Sequence, residues 1–230
     1  MPKTIVFSDV HGNLIALEIF IKLLEEIEFE QLICLGDSIG YYPDGSACLD
    51  IIMQLKAKSI MGNHESMILG KIPTPLNVEN VAQLKATKES LRTDQIEQLG
   101  KFDEEYVVSY GNKTFEFYHG SPQDKVNGYL YLESNVIPNY PNKMNVVVVG
   151  NTHRSYKKDF NWGSAINVGS VGLPRDCGNL ATFVEIDTVN FEAKRHLFEL
   201  PTEKIRKKYS NAHPNVLEIL DRRETIANFI

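Results

Sequence analysis

The first third of the chain alternates between two periods of apolar residues. Residues 3–8 (KTIVFS) are β-branched and aromatic, which predicts a buried strand. Asn13 then stands where a helix cap is wanted, and Leu14, Leu17, Phe20, Ile21 and Leu24 recur at helical spacing. Residues 31–35 (QLICL) predict a second strand, residues 44–56 a second helix, and residues 58–61 (KSIM) a third, short strand. This strand–helix–strand–helix–strand order implies a parallel sheet with right-handed crossovers.

Residues from 65 to 100 read as helical, interrupted at Pro73 and Pro75. Strand patterns then dominate up to residue 200. Residues 106–110 and 113–118 flank Gly111-Asn112, a hairpin signal. Residues 145–149 (NVVVV) read as a fully buried strand. Residues 155–160, 164–168, 180–186 and 191–199 complete a second set, and after Pro201 the pattern is helical to the C-terminus. Two sheets face to face with helices outside accommodate this order. Residues 1–200 are expected to form one domain, with 201–230 as its helical extension.

Composition narrows the class. Apolar residues make up 43% and charged residues 23%, ordinary for a globular protein with a real core. The formal net charge of −6 points away from a nucleic-acid partner. The basic run Lys204–Lys208 (KIRKK) reads as a solvated helix face. Three cysteines, Cys34, Cys48 and Cys177, have no CxxC spacing, so neither a disulfide framework nor a cysteine zinc site is expected. Cys34 reads as a small buried hydrophobe. The N-terminal residues lack a signal-peptide pattern, and no stretch approaches the roughly 18 apolar residues of a membrane span. A cytoplasmic protein without a membrane partner is the expectation.

Chemistry-bearing residues share one kind of address, just after a predicted strand. The segments are SDVHGN (8–13), LGDS (35–38), GNHE (62–65), YHGS (118–121) and GNTH (150–153). They hold both key aspartates, Asp9 and Asp37, and four of the six histidines. Strand ends in an α/β sheet form the crevice where sites are built. Carboxylate oxygen with imidazole nitrogen suits manganese, iron or zinc better than calcium. Asp37 can bridge a metal pair with its two oxygens, and Asn63 offers an amide oxygen. The neighbouring glycines allow tight turns. Taken singly, DxH reads as a surface turn and His119 as a satisfied structural histidine; the ordered set of five is what points to a site. Asn13 is a helix cap first and a substrate contact second.

These segments together resemble the calcineurin-like metallophosphoesterase superfamily, whose pattern runs DxH, GD, GNH(D/E), a lone His, then GHxH. The resemblance spans residues 4 to 175, and SDVHGN, LGDSIGYYPD, YHGSP and NVGSVGLPR are similar to a bacterial and archaeal branch of small phosphodiesterases. It implies an α/β (α+β) fold, a four-layer sandwich of two mixed β-sheets flanked by helices. By position, Asp9, His11, Asp37 and His153 would hold a first metal, and Asp37, Asn63 and His119 a second. His64 would be the general acid or phosphate-orienting group. The implied reaction is hydrolysis of a phosphodiester or phosphomonoester by a hydroxide bridging two divalent ions (manganese, iron, zinc or nickel, with manganese favoured). Arg175 is either a clamp on a phosphate oxygen or an ordinary surface arginine.

Two departures bear on this expectation. Asn151 stands where the family pattern has the first histidine of its last motif, which predicts a weaker second metal. It also keeps open a non-catalytic scaffold of the same fold. Second, Asp37 is followed by Ser38, Ile39, Gly40 and Tyr41 rather than the protein-phosphatase continuation. That disfavours a protein phosphatase and leaves His64 without an evident acidic partner, Asp44 being a nearby candidate. Loops 39–46, 70–80 and 121–143 are expected to set specificity for a small or nucleotide-like phosphate ester. Tyr129, Tyr131 and Tyr140 in the last loop are expected to pack against the sheet, the alternative being a face for stacking a base.

Overall fold

The computed structural model describes residues 3–134, 145–160 and 163–229. Two five-stranded mixed sheets lie face to face. The first runs β10-β9-β1-β2-β3, with β1 (Lys3–Phe7), β2 (Gln31–Cys34), β3 (Lys58–Ser59), β9 (Leu180–Asp187) and β10 (Ala193–Glu199). The second runs β4-β5-β6-β8-β7, with β4 (Glu105–Tyr110), β5 (Lys113–Tyr118), β6 (Asn145–Val149), β7 (Tyr156–Phe160) and β8 (Gly163–Asn167). The β1-β2-β3 and β5-β6-β8 pairs are parallel; the outer pairs are antiparallel.

Period-two alternation assigns each strand's faces. Val6, Ile33 and Val184 from the first sheet meet Phe115, Phe117, Val146 and Val148 from the second in the seam between them. Ile5 and Phe7 point the other way, onto α1 (Leu14–Leu24) and α2 (Gly45–Gln54). The outer face of the second sheet carries Tyr118, Val147, Val149 and Tyr156, packed with Leu130. The helical stretch resolves into α3 (Asn63–Ile68), α4 (Leu76–Ala82), α5 (Leu84–Ser90) and α6 (Thr93–Leu99) around a small core with Ile39. Cys34 is fully buried, as expected, and burial pushes its thiol up to about 12.

The C-terminal pattern holds only in part. Helices α7 (Thr202–Lys208) and α8 (Pro214–Ile219) bury Ile205, Tyr209, Val216 and Leu220 against the first sheet's outer core. The KIRKK run lies on α7 with Ile205 inward, Arg206 paired to Asp221 and Lys208 to Asp44. Beyond α8 the chain is not helical: Arg223 bridges Cys177 and Phe229 bridges Lys157. Backbone bonding to the body of the fold replaces helical bonding there.

Candidate metal centre

Each predicted ligand lies where a strand of one of the two sheets runs out at a common edge. Asp9 follows β1, Asp37 follows β2, Asn63 opens α3 after β3, His119 follows β5, and Asn151 and His153 follow β6. Asp9, His11, Asp37, Asn151 and His153 all sit in the left-handed region, with φ between 52° and 60°. For a non-glycine residue that costs about 1–2 kcal/mol each. Such strain persists only where the surroundings over-determine it, and it concentrates at functional sites. Packing at this edge leaves no room for larger neighbours: a Cβ on Gly62 would stand 2.3 Å from Asp37 Oδ1, and one on Gly150 would stand 2.7 Å from Asp9 Oδ2.

The histidine rings are aimed by backbone. His11 Nδ1 faces the Ile39 carbonyl (3.3 Å), as does His64 Nδ1 (2.9 Å). His119 Nδ1 faces the Leu35 carbonyl (2.8 Å) and His153 Nδ1 that of Leu173 (2.6 Å). A carbonyl only accepts, so each Nδ1 carries its hydrogen; the neutral rings of His11, His64 and His153 then turn an Nε2 lone pair inward, and His119 turns its Nε2 toward Asp37. His11 Nε2 and His153 Nε2 lie 3.0 Å apart. Two lone pairs at that distance repel unless a proton or a cation lies between them.

The carboxylates are divided the same way. Asp9 Oδ2 accepts from the Asn151 N–H (3.1 Å) and Asp37 Oδ1 from the His64 N–H (2.9 Å). The inner oxygens face the imidazoles: Asp9 Oδ1 is 3.2 Å from His153 Nε2, and Asp37 Oδ2 is 3.4 Å from His119 Nε2 and 3.7 Å from His11 Nε2. Any bridging by Asp37 would therefore run through one oxygen rather than two. Asp9 Oδ1, Asn63 Oδ1 and His119 Nε2 are buried with no hydrogen-bond partner among the described residues. Two orphaned oxygens and an unpartnered imidazole nitrogen on three separate loops fit divalent cations; a buried polar group left without a partner costs about 1–3 kcal/mol.

Three overlapping donor groups have atoms within 4.8 Å of one another: Asp9, His11 and His153; Asp9, Asp37 and His119; and His11, Asp37 and His64. His64 thus stands in the same ring of donors as the predicted ligands. Burial raises Asp9, but the imidazoles of His153 and His11 outweigh it and hold the carboxyl well below the usual range. Asp37 is likewise held low, by His119 and His64 against burial. Burial lowers His11 and His153 and takes His64 down to about 4. His119 goes the other way: the Asp37 and Asp9 carboxylates overcome burial and push it up to about 10.

Comparison with known proteins identifies the architecture. The family model of the calcineurin-like phosphoesterase superfamily domain matches residues 3–190. The chain belongs to this superfamily. An uncharacterized protein of Methanocaldococcus jannaschii is 26% identical over 203 residues, covering 81% of this chain and 83% of that protein. A metallophosphoesterase from Sphaerobacter thermophilus superposes with a TM-score of 0.75 at 22% identity, covering 96% and 98% of the two chains. A hypothetical protein from Pyrococcus horikoshii OT3 gives 0.78 at 21%, covering 99% and 100%. These structures share the fold.

Several superfamily positions acquire a clearer place. Asn13 is fully buried; its Oδ1 accepts from the Ala16 N–H (3.2 Å) and its Nδ2 donates to the Gly172 carbonyl (2.8 Å). The cap expected of it is present, and both of its polar side-chain atoms are bonded within the fold. Asp44 is not the partner of His64: it accepts from the Tyr209 hydroxyl at 2.8 Å and pairs with Lys208. Arg175 lies beside the centre, donating to the Tyr41 hydroxyl (3.2 Å), and the Tyr41 ring packs against His11 and His64. Asn151 Nδ2 donates to the Gly128 carbonyl (2.7 Å). Tyr129 and Tyr131 are exposed rather than packed on the sheet, and Tyr140 and residues 135–143 of its loop lie outside the described residues.

Sequence reasoning missed the residues that hold the ligands. Glu65 is fully buried and accepts from the Asp37 N–H (2.9 Å) and the Ser38 N–H (2.7 Å). Burial and the Asp37 carboxylate push it up to about 8, against those two donors. Asn167 pins the 150–153 loop through Gly150 and Thr152, and Ser170 donates to the Asp9 carbonyl. The sequence signals for them are the fourth residue of GNHE and the polar residues of NVGSVGLPR.

Proposed function

We propose that the protein hydrolyses phosphate esters at a centre of two divalent cations, with manganese favoured. The observation that carries this is the ring of inward imidazole Nε2 atoms, each ring held by a backbone carbonyl at Nδ1, together with the unpartnered Asp9 and Asn63 oxygens. Asp9, His11, Asp37 and His153 would hold one cation; Asp37, Asn63, His119 and the Asn151 amide oxygen would hold the other. The cations would supply Lewis-acid charge for the phosphoryl oxygens and acidify water.

The chain's own residues do the rest. Asn151's amide nitrogen is taken by Gly128, which leaves its oxygen for the centre. The Arg175 guanidinium, which donates to the Tyr41 hydroxyl, would hold a phosphate oxygen. His64 is the proton carrier: Ile39 fixes its Nδ1 and leaves Nε2 facing inward. Burial leaves it neutral at pH 7. The negative charge of an arriving ester raises its affinity for a proton, which it then passes to the leaving oxygen. Phosphodiesters or monoesters, including nucleotide-like ones, are the proposed substrates. The three unpaired cysteines suit a reducing compartment, in keeping with a cytoplasmic location.

A second reading, a non-catalytic scaffold, draws on Asn151 in place of histidine. The orphaned donors weigh against it, because a scaffold gains nothing from keeping them buried. Hydrolysis of bis(4-nitrophenyl) phosphate with and without Mn²⁺, with elemental analysis, separates the two. Wild type should bind metal and turn over; His64→Ala should keep its metal and lose about 10²-fold or more in turnover. Metal-free, inactive wild type would favour the scaffold, and equal activity in both proteins would remove His64 from its role.

A further inference from the structure

Residues 127–131 form the rim of the centre nearest the second cation's donors. Asn63 Nδ2 donates to Asn127 Oδ1 (3.3 Å) and Asn151 Nδ2 to the Gly128 carbonyl (2.7 Å). Leu130 is buried, and its carbonyl accepts from the Tyr156 hydroxyl at 2.8 Å. Tyr129 is thereby held between two fixed points, one residue from a group bonded to the donor ring. The segment is anchored on both sides, yet its two aromatic rings stand in solvent: Tyr129 is 45% exposed and Tyr131 42%. Their rings lie parallel, 6° apart in plane, with centroids at 5.9 Å.

Two large rings stand parallel and half in solvent on an anchored segment. Their setting points to a ligand. Arg175 donates to the Tyr41 hydroxyl at the centre. On the other side, Tyr131 lines a cleft of about 210 Å³ with Arg154 and Asp176, the chain neighbours of His153 and Arg175. Bonds to Asn63 and Asn151 thus tie the tyrosine segment to the donor ring on one side, and Tyr131 borders the cleft on the other. A phosphate seated at the centre would direct its alcohol portion across these rings.

We propose that Tyr129 and Tyr131 form a specificity-determining platform that stacks the planar aromatic portion of the ester, so that the substrate class is nucleoside phosphates. This rests on the phosphoesterase reading of the centre. Stacking on an aromatic side chain needs a π-face and little else, so the platform should tolerate different bases.

The test is calorimetric binding of AMP and of ribose 5-phosphate to the full-length, Mn²⁺-loaded protein. The two probes share phosphate and sugar and differ in the base. Wild type should favour AMP on the order of tenfold or more. In the Tyr129→Ala/Tyr131→Ala double variant that ratio should collapse to about twofold or less. The Tyr129→Phe/Tyr131→Phe variant, which keeps the rings, should retain it and guards against loss by misfolding. Equal affinities in wild type, binding of neither probe, or a preference that survives the alanine pair would overturn the platform. Turnover of bis(4-nitrophenyl) phosphate is followed in parallel. Metal-dependent turnover without an AMP preference sinks the platform alone; absence of both turnover and bound metal sinks the reading beneath it.

Discussion

Asn13→Ala is the perturbation that most cleanly separates a structural role from a substrate role. Its amide makes two bonds inside the protein, capping α1 through Ala16 and holding the Gly172 carbonyl of the strap over Asp9. Losing the cap costs about 1 kcal/mol, with a range of about 0.5–2. Stranding the Gly172 carbonyl in a fully buried site costs about 1–3 kcal/mol more. The sum is about 2–4 kcal/mol, which for a chain of this size lowers the melting temperature by on the order of 10 °C. Asn13→Ser keeps a capping oxygen and loses only the second bond, so it should fall about midway. Urea denaturation of the three proteins measures the differences. Turnover per folded molecule, taken well below the transition, should stay within about twofold of wild type, since Asn13 spends both of its polar side-chain atoms inside the fold. A loss of stability below 1 kcal/mol, or a turnover that collapses while stability holds, would refute the argument and return Asn13 to the substrate.

Other outcomes follow from the centre. His119 keeps its proton to about pH 10 in the cation-free protein, so an entering cation must displace it, and affinity should rise with pH. One displaced proton makes the Mn²⁺ affinity climb about tenfold per pH unit. Calorimetry in buffers of different ionisation enthalpy between pH 8 and 9 counts that proton, and His119→Gln should flatten the slope; a flat wild-type profile would contradict it. Asn151→His would set a ring nitrogen against the Gly128 carbonyl, as the other histidines are set against theirs. It should tighten the second cation on the order of tenfold by equilibrium dialysis, and unchanged retention would show that Asn151 is not a ligand. Glu65→Gln turns an amide N–H₂ toward one of two backbone N–H groups. It should cost about 2–4 kcal/mol in urea melts and loosen Asp37 enough to weaken cation binding about 10–100-fold; wild-type values in both would remove Glu65 as the clamp.

What the sequence determined by itself is local and periodic. The β-branched runs of β1 and β6, the Asn13 cap, the Gly111 hairpin and the strand-end addresses of Asp9, Asp37 and His119 follow from nearest-neighbour preferences, which read directly from residue order. The five motifs sufficed to indicate the superfamily and a candidate set of metal donors. Tertiary structure alone decided what each side chain spends its atoms on. One oxygen of Asp37 is consumed by the His64 amide, both sides of Asn13 are consumed by backbone, and Glu65 holds Asp37 from a position that looks in sequence like any acidic helix start. Tyr129 and Tyr131 were expected to pack and instead stand exposed, because Leu130 between them takes the buried side. The end of the chain leaves its helix because Arg223 and Phe229 find strand partners far away in sequence. Composition carries each residue's capacity to donate, accept or stack; which partner uses that capacity depends on contacts between residues dozens to hundreds of positions apart, and no local pattern encodes those.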